Sequence, residues 1–453
     1  MVRRAQGWRP ARWAMVIALA SALTASACGA KPSAELAARA AATESEQATT
    51  SAEDGPGVTA KEVKVGFVLL QTEKLQKTLG ITLAPAGNLE KQIAEIASEI
   101  NRTGGIAGRR MVPVVRPFEA LTDSQATEEK LCKAFTQDDQ VFAVVLVGQF
   151  QSTVRSCYQQ ARTLMLDTTA FPLDQTSFEQ YAPYLWQPSY PEYGELNRAM
   201  VRDLADSGFF KKSTLGVVGI DNDQNRRVYD QQIRPALKQA GADPEGVRWI
   251  DGSNSSTLQT GQDQAVLAFK EAGVDRLLVV GGSRLASFMM STAQKQDWYP
   301  RFALSTWDSP DFGIRNYPES MKGAAGVSLL PGFDVDDKEY EFPAPGAERA
   351  CVKVLERSGD SFATRANARQ QLLYCDASFL LRDAFKGSDG PVNAEAFQTG
   401  VERLGTGFRS AAVYESGFEK GRFTGNIGFR RMVYDPACTC MRLEGDTRTF
   451  ADG

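Results

Sequence analysis

Residues 63 to 115 restrict the possible folds of this chain more than any other stretch. Val63 to Leu70 is an apolar run of strand length. Leu89, Ile93, Ile96 and Ile100 then recur at helical spacing with Glu90, Glu95 and Glu99 between them, the pattern of an amphipathic helix with one apolar stripe. Gly104-Gly105 ends that helix, because a residue without Cβ enters the left-handed backbone of a helix terminus without a clash. Ile106 folds back on the helix end, Gly108 makes a second turn, and Met111 to Val115 is another apolar strand. A strand, a helix and a strand of these lengths predict a right-handed crossover at the start of a parallel sheet.

The alternation continues. Phe142 to Val147 reads as a buried parallel strand ending at Gly148, followed by a helix from Ser152 to Ala161 and short strands at Leu164 to Leu166 and Tyr184 to Gln187. A helix is expected after Pro191. Strands at Leu215 to Ile220, Val247 to Ile250 and Arg276 to Val280 each precede a helix: Arg227 to Gln239, Thr260 to Ala272, and a third running through Met290. Phe302 to Ser305 and Ala324 to Leu330 complete a second sheet. Gly332 to Pro345 is acidic, holds prolines and has no periodicity, so it reads as a loop. Helices follow at Gly346 to Arg357, Asn367 to Phe385 and Asn393 to Leu404, then strands at Ala411 to Tyr414 and Ile427 to Tyr434 joined by a Gly-rich turn. The fold class is α/β, with doubly wound parallel sheets.

The chain opens with Arg3, Arg4, Arg9 and Arg12 and an uncharged run from Trp13 to Ala27. A membrane span needs roughly 20 apolar residues, so this run has the size of a signal-peptide core behind a basic segment. Ala25-Ser26-Ala27-Cys28 resembles a bacterial lipoprotein cleavage site, although Ala25 stands where a large aliphatic residue is usual; an ordinary secretory signal is the alternative. Residues 1–28 are therefore read as a lipoprotein signal peptide, with Cys28 as the lipidated N-terminus. Residues 29–58, rich in Ala, Ser, Thr and Glu, are read as a flexible tether.

Net charge is -4 and the folded region has no basic block, which argues against nucleic-acid binding. The chain holds no histidine, so no Ser-His-Asp or Cys-His dyad and no histidine-ligated zinc site can form. No Walker sequence is present, and Gly405-Thr406-Gly407 lacks the setting of a dinucleotide loop, so no cofactor is expected. With Cys28 set aside, six of the seven cysteines remain, an even number in an exported chain. Several pairings are possible, and sequence order favours Cys132 with Cys157 and Cys351 with Cys375. Cys438-Thr439-Cys440 would then close a tight loop. No metal site is expected; Asp221-Asn222-Asp223-Gln224-Asn225 opens like a calcium loop but has Arg226 where the glycine should stand and Gln232 where the closing glutamate should.

Val65-Gly66-Phe67, Glu99-Ile100-Asn101, Gly104-Gly105-Ile106 and Gly108-Arg109 together resemble the opening of the type I periplasmic binding proteins. Within these the string is most similar to the branch holding receptors for branched-chain amino acids and related solutes. The resemblance implies two doubly wound lobes joined by a three-strand hinge, lobe 1 from residues 61–187 plus 346–405 and lobe 2 from residues 188–335 plus 406–453. It implies a monomeric, extracytoplasmic solute-binding lipoprotein on the cell membrane. Such a protein clamps a small polar organic ligand, an amino acid, amide or related solute, and delivers it to the permease of an ABC importer; it is not an enzyme.

Ligands of open parallel sheets bind beyond the carboxyl ends of the strands. The candidate loops are Gly148 to Thr153 and Asp167 to Pro172 in the first lobe, and Gly281 to Arg284 and Thr306 to Asp308 in the second. In the first, Gln149, Gln151, Ser152 and Thr153 are the candidates: exposed amides and a hydroxyl at a helix N-terminus can receive a carboxylate, unless Ser152 or Thr153 only caps the helix. Thr168 and Thr169 are candidates in the second, or form a threonine turn instead. Asp167 is an unusual neighbour for a carboxylate ligand. By the resemblance, Ser283 stands near an aromatic position, Trp307 would cover an apolar side chain and Asp308 would pair with an ammonium, although Asp308 before Ser309-Pro310 also reads as a helix cap. The resemblance also implies that Asp221 and Asn222 lie at the cleft edge, and Gln71-Thr72-Glu73 is a weaker candidate.

Two rival readings stand beside this one. A secreted hydrolase using paired carboxylates would draw on Glu73, Asp167, Asp221 and Asp308, which no motif binds together. A sensor of the same fold without transport has no distinguishing sequence mark.

Overall fold

The computed structural model describes residues 53–80 and 82–451. The expected signal peptide, the Cys28 lipidation site and residues 29–52 of the tether lie outside them. Residues 53–58, read above as tether, belong to the folded body: Asp54 pairs with Arg109 at 2.9 Å and accepts from the Val392 amide at 2.8 Å, and the Gly55 amide donates to the Val392 carbonyl at 2.8 Å. Among the described residues no helix is long and apolar enough to cross a membrane.

The first sheet has strands β1 (Glu62–Gln71), β2 (Arg110–Glu119), β3 (Ala143–Leu146), β4 (Leu164–Asp167) and β5 (Leu185–Trp186), in the order β2-β1-β3-β4-β5, all parallel. Between β1 and β2 lies the helix Leu89–Arg102, whose Asn88 side chain accepts from the Lys91 amide and whose Ile93, Ile96 and Ile100 are buried. Gly104 and Gly105 follow with φ of 112° and 71°, the left-handed backbone the sequence requires there. A short helix, Glu73–Leu79, also follows β1 and was not anticipated.

The second sheet has β6 (Leu215–Ile220), β7 (Gly246–Ile250), β8 (Arg276–Val280), β9 (Arg301–Ser305), β10 (Ala325–Ser328), β11 (Gly428–Asp435) and β12 (Cys440–Thr449), in the order β12-β11-β10-β9-β8-β6-β7. β6 to β10 are parallel, and β11 and β12 add an antiparallel hairpin at one edge, so this sheet is mixed. β12 escaped the sequence reading because it is an edge strand with Arg442, Glu444 and Asp446 on exposed positions and no apolar run. Two further expectations fail. Gly332 to Pro345 begins inside a short helix, Pro331–Asp334. Ala411 to Tyr414 is not a strand: the amides of Ala411, Ala412 and Val413 are taken by the side chains of Asp376 and Ser410, which leaves no ladder to form.

The chain crosses between the sheets after β5, after β10 and again before β11. One helix, Arg365–Ala384, holds all three crossings. Its buried Asp376 accepts from Ser189 at 2.8 Å in the first crossing and from Ser410 and the Ala411 amide in the third. Its buried Arg365 donates to Glu348 at 2.6 Å, to the Tyr340 carbonyl at 2.6 Å and to the Glu341 carbonyl, fixing the second. The first and third crossings also pair directly, the Gln187 amide donating to the Phe423 carbonyl and the Gly425 amide to the Gln187 carbonyl, each at 2.9 Å. Disulfides join Cys132 to Cys157, Cys351 to Cys375 and Cys438 to Cys440.

Candidate ligand cleft

The site is built on Arg155. This side chain, on the helix Val154–Gln160, is wholly buried and reaches the carboxylate of Asp167 at the end of β4, with Nε at 2.9 Å and Nη2 at 2.6 Å from Oδ2. It donates onward to the carbonyls of Gln151 at 3.2 Å and Gln149 at 3.3 Å, and its guanidinium lies 4.2 Å from the centre of the Phe171 ring. The other oxygen of Asp167 accepts from the Thr169 amide at 2.9 Å. One cation thus fixes both candidate loops of the first lobe. It also removes the objection raised by Asp167: the carboxylate is paired, so it presents no free negative charge to an anionic ligand.

Gly148, at the tip of β3, has φ of 70°, and a Cβ on it would stand 2.5 Å from the Leu70 side chain, so a larger residue would be strained at this turn. Gln149 beyond it is buried, and neither polar atom of its amide has a hydrogen-bond partner. Thr168 donates to the Leu146 carbonyl at 2.8 Å, which is a fold contact. Thr169 is buried with its hydroxyl unpartnered.

From the second lobe, Gly282 approaches the loop after β4 directly. A Cβ on Gly282 would lie 3.3 Å from the Trp307 carbonyl oxygen and 3.6 Å from that of Ala170. Trp307 is fully buried, its ring centre 4.8 Å from that of Tyr190 and 5.6 Å from that of Tyr193, and its Nε1 has no partner. The Tyr193 hydroxyl accepts from the Gly281 amide at 2.9 Å. Asp308 turns back to accept from the Ser305 amide at 2.7 Å and hydroxyl at 3.0 Å, so it caps its own turn and not the helix Pro310–Asn316. Its other oxygen is unpartnered, and burial pushes its carboxyl up to about 7. Asp334 behaves alike: one oxygen accepts from Thr306 at 2.6 Å and Ser328 at 2.7 Å, the other is unpartnered, and burial raises the group to about 7.

Two contacts close the rim between the lobes: Arg227 with Asp174 at 2.8 Å, and Arg369 with Asp311 at 2.9 Å. Gln224 also donates to the Pro172 carbonyl beside the first.

The structure therefore gathers Thr169, Trp307 and Asp308 at one interface between the lobes, with Gln149 behind it. The remaining candidates lie elsewhere. Ser152 and Thr153 are exposed, and Thr153 makes no side-chain cap. Gln151 is half-buried, its amide donating to Glu128 at 3.0 Å. Ser283 is half-buried in the first turn of the helix Ser283–Lys295. Asp221 is exposed and paired with Arg226 at 2.6 Å, while Asn222 caps the helix Asp223–Val228. Of the acids considered for a hydrolase, Asp167, Asp221 and Asp308 are each engaged by a different neighbour and Glu73 is exposed. Arg155, Tyr190, Tyr193 and Asp334 were not foreseen. The only signal for Arg155 was a cation one helical turn past Gln151 and ahead of a strand ending in Asp167.

Two α/β sheets linked by three crossings and meeting at their strand-tip loops define a two-lobed solute-binding protein of type I topology. The chain belongs to the periplasmic binding protein family, whose profile matches residues 90–432. Members of that family act as extracytoplasmic binding proteins. Among solved structures, the chain is similar to a possible leucine/isoleucine/valine-binding protein from Rhodopirellula baltica SH 1, at 14% identity and TM-score 0.59, covering 85% of this chain and 97% of that one. It is similar to a solute-binding protein of an ABC transporter from R. palustris in complex with 4-hydroxybenzoate, at 11% identity and TM-score 0.61, covering 86% and 97%. It is also similar to a branched-chain amino acid ABC transporter protein from Thermus thermophilus with bound valine, at 13% identity and TM-score 0.59, covering 87% and 99%. No curated protein sequence matches the chain.

Proposed function

We propose that this protein is the solute receptor of an ABC importer, anchored outside the cell membrane by lipid on Cys28, and that it clamps one small organic acid or amino acid between its lobes. The observation that carries the reading is the set of buried, unpartnered polar atoms where the lobes meet: the Thr169 hydroxyl, Trp307 Nε1 and one oxygen each of Asp308 and Asp334. Burying such groups without partners costs free energy, and a ligand that pairs with them recovers it. Thr169 and Trp307 Nε1 are donors for a carboxylate or hydroxyl; the free oxygens of Asp308 and Asp334 are acceptors for an ammonium or hydroxyl. The ring of Trp307, flanked by Tyr190 and Tyr193, suits an apolar or aromatic body. Structural neighbours bound to valine and to 4-hydroxybenzoate support the same ligand classes. Closure works by differential affinity: contacts from both lobes exist only in the closed form, so ligand shifts the population towards it. A permease then recognises the closed outline.

The test is a thermal-shift screen of amino acids and aromatic acids. A ligand at 100 times its Kd should add about 2.7 kcal/mol of stability. Thr169→Ala and Asp308→Ala should each remove that gain while the ligand-free protein stays folded; a gain that survives both substitutions refutes the site. Lipidation is checked by the mass of the N-terminal peptide of membrane-extracted protein.

A further inference from the structure

The pair Cys438 and Cys440 is left unexplained by solute binding. Its setting differs from that of the other two bridges. Cys132, Cys351 and Cys375 are fully buried, and their disulfides join positions 25 and 24 residues apart, tying separate helices to one another. Such bridges restrict the unfolded chain and are shielded from attack. Cys438–Cys440 spans a separation of 2 and sits at the tip of the β11–β12 hairpin, with Cys438 exposed and Cys440 half-buried.

That tip is already closed without the bridge. Asp435 is the ladder partner of Cys440, the Asp435 side chain accepts from the Ala437 amide at 2.8 Å, and Arg442 reaches across to Asp435 at 2.5 Å. The hairpin is docked lower down by Glu339, which accepts from Arg442 at 3.2 Å and from the Leu443 amide at 3.0 Å. A covalent link inside a turn that the ladder fixes adds little constraint on the unfolded chain. Meanwhile Thr439, the single residue inside the ring, has φ of 54°, a left-handed backbone that a β-branched residue adopts only at a cost.

We propose that Cys438–Cys440 is a thiol-exchange site that accepts two electrons from an external dithiol while the rest of the fold stays intact. A thiolate of the dithiol attacks Sγ of Cys438, the more exposed sulfur; the bond between the two sulfurs breaks and Cys440 leaves as a thiolate. The second thiolate of the dithiol then attacks its own sulfur in the mixed disulfide, expelling Cys438 as a thiolate. The external dithiol is oxidised to a disulfide and the protein is reduced to a dithiol, with the two thiolates protonated by solvent.

The experiment is a graded titration of the folded full-length protein with dithiothreitol, followed by alkylation and peptide mapping, with Cys28 read on its own peptide. Cys438 and Cys440 should become alkylated at reductant levels about tenfold or more below those that open the other two bridges. The urea unfolding midpoint should be unchanged at that point. The proposal is overturned if either buried bridge opens at the same or lower reductant, if the 438–440 bridge opens only on unfolding, or if the pair is isolated as free thiols from an oxidising buffer. The order of attack is read by acid-quenching a brief exposure of the parent protein to reduced glutathione and mapping the mixed disulfide: glutathione should be found on Cys438, and an adduct on Cys440 overturns the assignment of Cys438 as the attacked sulfur. The double variant Cys438→Ser/Cys440→Ser should retain ligand-free stability, because the ladder and not the bridge closes the tip.

Discussion

Replacing Asp167 with asparagine tests the central claim about the cleft. The substitution keeps the shape of the side chain and an oxygen for the Thr169 amide, but takes away the charge facing Arg155. The guanidinium is fully buried, and among the described residues Asp167 is the one carboxylate that accepts a hydrogen bond from it, with two backbone carbonyls as its other acceptors. Breaking one side of a buried pair leaves an uncompensated charge, which costs about 3–5 kcal/mol. Against a total stability of about 5–15 kcal/mol that is a large fraction, so Asp167→Asn should lower the urea midpoint strongly at constant slope. Arg155→Met/Asp167→Leu removes both charges at similar volume and should recover most of the loss. The cost and its recovery together distinguish an electrostatic keystone from ordinary packing. If Asp167→Asn unfolds within about 1 kcal/mol of the parent, or if the double variant is worse than the single one, the reasoning fails.

Further outcomes follow from other parts of the molecule. Burial raises the carboxyls of Glu192, Asp308 and Asp334 to about 7 and of Asp376 to about 6, so the folded protein binds more protons than the unfolded chain between their ordinary range and those values. Their contribution is fully present below pH 4 and is lost as pH rises through 6 to 7; chemical unfolding at pH 5.5 and pH 8 should show lower stability at the higher pH, and Asp308→Asn should flatten that slope. Gly425→Ala should destabilise the hinge, since a Cβ there would stand 2.2 Å from the Pro188 carbonyl oxygen; hydrogen exchange should rise at the first and third crossings before it rises in either sheet. Arg227→Ala removes a rim contact between the lobes while leaving the buried groups alone, so a small-angle scattering profile should report a more open ligand-free population that ligand restores.

Much of the architecture could be read from residue order because its causes are local. Apolar runs of strand length, helical stripes between them and glycines at helix ends act within one element, and β6 and β8 begin and end at the residues the sequence indicated. What went unread depended on partners distant in the chain. β12 is defined by its ladder with β11 and not by any apolar run, and the segment from Ala411 to Tyr414 fails to form a strand because Asp376, 35 residues before Ala411, takes its amide.

The cleft divides along the same line. That loops at the ends of β3, β4, β8 and β9 are the places for a ligand follows from parallel topology, and the chain order alone placed Thr169, Trp307 and Asp308 on such loops. Which of their polar atoms remain unpaired, and that Asp167 is neutralised by Arg155, depends on side chains that meet only when helix, strand and crossing have packed. Periodicity along the chain determined the strands of the two sheets other than β12, since backbone hydrogen bonding and apolar burial repeat with the residue number. Charge pairing and exposure in the cleft were decided by the tertiary structure, because electrostatic neighbours are set by distance in space.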